Sequence, residues 1–169
     1  MGLRNRHPDS PNVIRYQMRQ KMVAIGDDSW IDDAAGNHVF KANGKAARIR
    51  DTFVLEDASG RELAKIKERA IAVRDKMTIE IDGRHATVSK ALVGIRDRFH
   101  VDVDGAPDLK VHGNVVDHEY EVEQDGDTIA TVSKKWFRVR DTYGIEVNAD
   151  ADVTLVLCVA IALDDMTHD

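Results

Sequence analysis

A five-residue motif recurs at a nearly constant interval, and that interval constrains the fold more than any other feature. "IRDTF" begins at Ile49, "VRDKM" at Val73, "IRDRF" at Ile95 and "VRDTY" at Val139. A weaker copy, "VDHEY", begins at Val116, and a degenerate one, "GDDSW", at Gly26. The steps between starts are 23, 24, 22, 21 and 23 residues. A period near 22 marks a repeated supersecondary unit. After the motif the chain alternates strictly, as in Met77–Ile81, Phe99–Val103 and Tyr120–Glu123. One apolar face with period two means half-buried strands. A turn signal follows each: Asp82-Gly83, Asp104-Gly105, Asp125-Gly126, and looser ones at Gly36 and Gly60. Asp-Gly pairs favour the positive φ angles of tight hairpins. Return strands such as "HATVSK" and "TIATVSK" complete each unit.

Six hairpin units predict a mainly β chain of about twelve antiparallel strands, the first spanning Tyr16 to Val23. Such strands form a sandwich or close into a barrel, and closure alone removes exposed edges. About eight strands already use up a side-chain-filled interior, so twelve leave a hole. The last unit lacks its second strand and continues instead as "DADVTLVLCVAIALDD". From Val153 to Leu163 every residue except Thr154 is apolar. That run is about 16 Å long as a helix, against a bilayer core of about 30 Å. A helix apolar all round is buried. The expectation is a plug through the barrel, with Leu155, Leu157, Cys158 and Ile161 in the core and Asp150 or Asp152 capping the helix start. A membrane anchor and an oligomer interface are the alternatives.

The remaining composition limits function. Net charge is −6, which disfavours nucleic acid. The single cysteine, Cys158, precludes an internal disulfide framework and fits a reducing, cytoplasmic compartment. Residues 1–14 hold two of the three prolines and read as a flexible leader ahead of one domain, 15–169. The start has no apolar signal-peptide run, and Arg6 stands where a myristoylation motif needs Ser or Thr.

The repeated Arg-Asp motif, "DHEY", "KKWFRVRDTYGIEV" and "ADVTLVLCVAIALDDM" resemble the LURP-one-related family over about Tyr16 to His168. That family is in turn similar to the tubby C-terminal domain and the phospholipid scramblases. The resemblance implies a twelve-stranded barrel around a hydrophobic C-terminal helix, as the periodicity does independently. Tubby domains bind phosphoinositides through a basic pocket, and scramblases bind calcium and lipids. The resemblance therefore implies an anionic lipid or membrane surface as partner, with peripheral membrane association. No ligand residue is carried over from it.

Candidate sites are few. Asp51, Asp75, Asp97 and Asp141 of the Arg-Asp pairs are read as turn-capping carboxylates with Arg along the outer surface. Lys65, Lys67 and Arg69 share one strand face by parity, and Lys90 and Lys134 end equivalent "VSK" strands. Ammonium and guanidinium groups are what phosphates demand, so these five are the candidate ligand contacts. "NADADV" lacks the central glycine and the bidentate glutamate of a calcium loop. His112 and His118 lie six apart, not a zinc spacing, and the histidines are read as surface residues. No metal or other cofactor is expected. No hydrolase, zinc-protease, P-loop or dinucleotide motif appears, and Cys158 is read as inert packing. The reading is a non-enzymatic barrel that binds anionic phospholipid or another small anion. The alternative is a protein-interaction or structural module.

Overall fold

Alternation of apolar and polar residues becomes twelve strands: β1 (Val13–Arg19), β2 (Ser29–Asp33), β3 (His38–Asn43), β4 (Thr52–Asp57), β5 (Glu62–Glu68), β6 (Lys76–Ile81), β7 (Arg84–Lys90), β8 (Arg98–Val103), β9 (Leu109–Asn114), β10 (Glu119–Gln124), β11 (Asp127–Ser133) and β12 (Thr142–Asn148), followed by one helix, α1 (Val153–Thr167). The computed structural model describes residues 12–19, 29–43, 52–68, 76–91, 98–136 and 142–167. Each strand pairs with its sequence neighbours, and β1 pairs with β12 to close the barrel. All pairings are antiparallel; the closing one runs from Val13 opposite Asn148 to Arg19 opposite Thr142. Closure leaves no free edge, and so no row of unpaired backbone groups to template aggregation.

Alternation decides which side chains face in. On β6, Met77, Ile79 and Ile81 are buried while Lys76, Thr78 and Glu80 are half-exposed. The inward set from all strands meets α1, whose residues Leu155 to Asp164 are all buried. Leu157, Cys158 and Ile161 have no exposed surface. The plug expectation holds, and no described helix is long and apolar enough to cross a membrane. Burial pushes the Cys158 thiol far above its ordinary range, which keeps it protonated and unreactive.

The barrel has two dissimilar ends. One carries the short hairpin turns; the other, the motif end, carries the turn at residues 115–118 in which the weak copy "VDHEY" begins. Asp82 and Gly83 (φ 48° and 75°) and Asp125 and Gly126 (φ 52° and 81°) form two-residue turns with both residues left-handed. Asp104-Gly105 departs from that expectation: only Gly105 has positive φ, at 71°. The connection there spans five residues, 104–108, and a longer loop does not need two left-handed residues.

Both chain-end elements differ from their expected limits. Strand pairing starts at Val13, not Tyr16, because the Asn12 carbonyl accepts the Ala149 N–H at 2.6 Å and draws the chain into register. The strand thus begins inside the expected leader, and residues 20–23 of the expected strand lie outside the described residues. Helix α1 runs four residues past Leu163. Asp164 and Asp165 at a helix C-terminus oppose its dipole, so local preference argued for an earlier stop. A tertiary partner of Asp164, described below, offsets that cost.

Asp152 caps α1. Its Oδ1 accepts the Leu155 N–H at 3.1 Å, and its carbonyl accepts the first helical bond, from Val156 N–H at 3.0 Å. Asp152→Ala is expected to cost about 1 kcal/mol, lowering Tm by about 2–4 °C. Asp150→Ala leaves Tm unchanged; thermal melts of both variants separate the two candidate caps.

Candidate functional site

Lys65 and Lys67 project together from the outer face of β5, which alternation with the buried Ala64 and Ile66 dictates. Lys65 lies 3.5 Å from Glu62, and Lys67 lies 3.7 Å from Glu80 across the sheet. Their side chains are 41% and 49% exposed. Exposed pairs of this kind contribute about 0–1 kcal/mol. Lys67, Lys90 and Lys134 all lie toward the motif end, but not in one place. Lys90 ends β7 and Lys134 follows β11, four strands away. That spacing is about 19 Å along the sheet, too far for one headgroup to touch both. Lys134 is also half-buried, and its backbone N–H donates to Glu119 at 3.0 Å. Arg69 and the motif residues Asp51, Asp75, Asp97 and Asp141, with their arginines, lie outside the described residues.

The most distinctive polar constellation is one that sequence reasoning missed. His118 was expected at the surface, yet it is 1% exposed. Its Nε2 lies 2.9 Å from Oδ1 of Asp164, itself 3% exposed, in the last turns of α1. The His118 ring stacks on Tyr143, centroids 4.1 Å apart. Burial, then the nearby Asp164 charge, pushes the phenols of Tyr120 and Tyr143 well above their ordinary range, so both stay protonated. Neither phenol oxygen has a hydrogen-bond partner among the described residues.

The chain builds this cluster locally. His118 closes the turn between β9 and β10, with φ at 53° and its N–H donating to the Val115 carbonyl at 3.1 Å. Gly113 permits the close crossing there: a Cβ on it would sit 2.6 Å from the Glu119 carbonyl and 2.8 Å from Tyr120 Cα. Aligned on the repeat, "VDHEY" places His118 where the other copies have Asp, and Glu119 where they have Thr, Lys, Arg or Ser. Glu119 accepts the Ser133 hydroxyl, with its two oxygens at 3.0 and 2.8 Å. In this copy the residue at the Asp position, His118, grips the plug. That departure was the available signal. His112, by contrast, is half-buried on β9, 3.2 Å from Glu123.

At the hairpin-turn end a pocket of about 150 Å³ opens beside the start of α1. Ile79, Ile81, Ala86, Val103, Ala106 and Leu155 line it, and Arg84, His85, Gln124 and Asp152 ring it. Among the described residues no group of three or more histidines, cysteines or carboxylates is placed to hold a metal ion.

The LURP-one-related family model matches residues 14–164. The chain belongs to the LURP-one-related family. Its relatives include the uncharacterized protein YxjI of Bacillus subtilis (strain 168), 26% identical over 158 residues, covering 93% of this chain and 96% of that one. The X-ray structure of an Arabidopsis thaliana protein superposes with a TM-score of 0.66 at 18% identity, over 94% of this chain and 93% of the other. That likeness concerns the fold. In this LURP-one-related chain the match ends at residue 164, so it spans both the His118 turn and its partner Asp164.

Proposed function

We propose that this LURP-one-related protein is a non-enzymatic, tubby-like binding module that engages anionic phospholipid, or another small anion, through the outer face of β5. The supporting observation is the pair Lys65 and Lys67, side by side and about half exposed, each meeting a glutamate at 3.5 and 3.7 Å among the described residues. Such pairs exchange readily for phosphate. The filled lumen directs binding to the outer surface and the mouths. Each basic residue near an anionic surface contributes about 1 kcal/mol of attraction, so Lys65 and Lys67 together supply about 2 kcal/mol against an overall acidic chain.

Flotation with vesicles containing anionic lipid tests this reading at low salt, where the Debye length is about 30 Å. Wild-type protein is expected to float, and Lys65→Glu/Lys67→Glu/Arg69→Glu to stay at the bottom. Failure of the wild type to float at low salt rejects the proposal. The protein-interaction reading finds less support. Val13 and Ile14 stand exposed at one end of β1, and Trp30 stands beside its other end. About 20 Å separates them along the strand, so they form no continuous patch. Trp30 is stacked on His38 at 4.7 Å and lies under Lys41 at 5.7 Å.

A further inference from the structure

We infer that the pocket beside the start of α1 is a binding site for a small amphiphilic carboxylate. Its cause is geometric. A twelve-stranded barrel is wider than one helix, and at this mouth the wall carries the short side chains Ala86 and Ala106. Ile81, Val103 and Leu155 are buried but not sealed, at 8%, 9% and 7% exposure, so an apolar floor faces the opening. An apolar cavity of about 150 Å³ in another protein stays dry and binds benzene, which sets the hydrocarbon portion at about six carbons.

The rim selects the head. Arg84 is 55% exposed, and its Nη2 lies 3.7 Å from Asp152 Oδ2, too far for a hydrogen bond. The other Asp152 oxygen is committed to the Leu155 N–H. The guanidinium fork therefore presents donors to an incoming carboxylate, which it binds in bidentate geometry. Gln124 is tied to the Pro107 carbonyl at 3.0 Å, holding the β8–β9 connection at the pocket's edge. This site is separate from the outer face of β5 and does not depend on lipid binding there.

Methyl NMR titration with hexanoate, and with hexan-1-ol as the uncharged counterpart, tests the inference. Hexanoate is expected to shift the methyls of Ala86, Val103, Ala106 and Leu155 saturably, while those of Leu157 and Ile161 stay put. Arg84→Gln is expected to raise the hexanoate Kd at least fivefold and to leave hexan-1-ol binding unchanged. Ala106→Leu, filling the pocket, is expected to abolish both responses with the Leu157 and Ile161 signals intact. The inference is overturned if hexanoate leaves the four methyls unmoved, if Arg84→Gln binds it as tightly as wild type, or if hexan-1-ol binds as tightly as hexanoate.

Discussion

Leu157→Asp is expected to abolish folding. Leu157 has no exposed surface and lies in the second turn of α1, within the run Leu155 to Asp164 that is buried throughout. The substitution removes a core leucine, worth about 2–5 kcal/mol, and leaves an unpaired buried carboxylate costing several more. The sum reaches the 5–15 kcal/mol that domains have in total. Circular dichroism and methyl NMR should show loss of β-structure at 25 °C, while Leu157→Met, which conserves volume, melts within a few degrees of wild type. A folded, more soluble Leu157→Asp protein would contradict the plug and restore the anchor reading of the segment.

The second large effect concerns the His118–Asp164 pair. Removing one partner of a buried hydrogen bond costs about 1–3 kcal/mol, because the other keeps its desolvation penalty. His118→Leu and Asp164→Leu are each expected to lower Tm by roughly 2–12 °C at about 2–4 °C per kcal/mol. The double variant should recover part of that loss, since replacing both partners by apolar groups removes the broken hydrogen bond. A double-mutant cycle with chemical denaturation measures the coupling. Additive losses would show that the two side chains do not act as a pair. Leucine is preferred to a β-branched residue at 118 because the backbone there is left-handed.

These two predictions differ in how far the sequence foretold them. The plug was legible because two independent patterns agreed: a 22-residue hairpin period giving about twelve strands, and one short segment with no hydrophilic face. The Asp152 cap was one of two local candidates, and only geometry chose it. The His118–Asp164 contact joins residues 46 apart. A histidine followed by Glu and a surface-like turn carries no local mark of burial. Asp164, after eleven largely apolar residues, reads as the polar end of a helix. The candidate ligand residues show the opposite limit. Parity correctly put Lys65 and Lys67 on one outer face, yet equivalent positions in the repeat put Lys90 and Lys134 four strands apart. A repeat distributes its equivalent residues around a barrel, so shared motif position argues against shared location.

By itself, then, the amino-acid sequence determined most of what depends on short-range periodicity: strand number, inward parity, the two-residue Asp-Gly hairpins and the burial of Leu155–Leu163. Side-chain alternation and turn preferences act over two to five residues, so a linear text records them fully. Only the tertiary structure decided what depends on closure. The pairing of β1 with β12 set where the first strand begins, and the threading of α1 brought Asp164 to His118. The mismatch between one helix and a wide barrel mouth left the pocket between Arg84 and Leu155. Those outcomes arise from distances between segments far apart in the chain, set jointly by strand number and helix length, and no local pattern carries them.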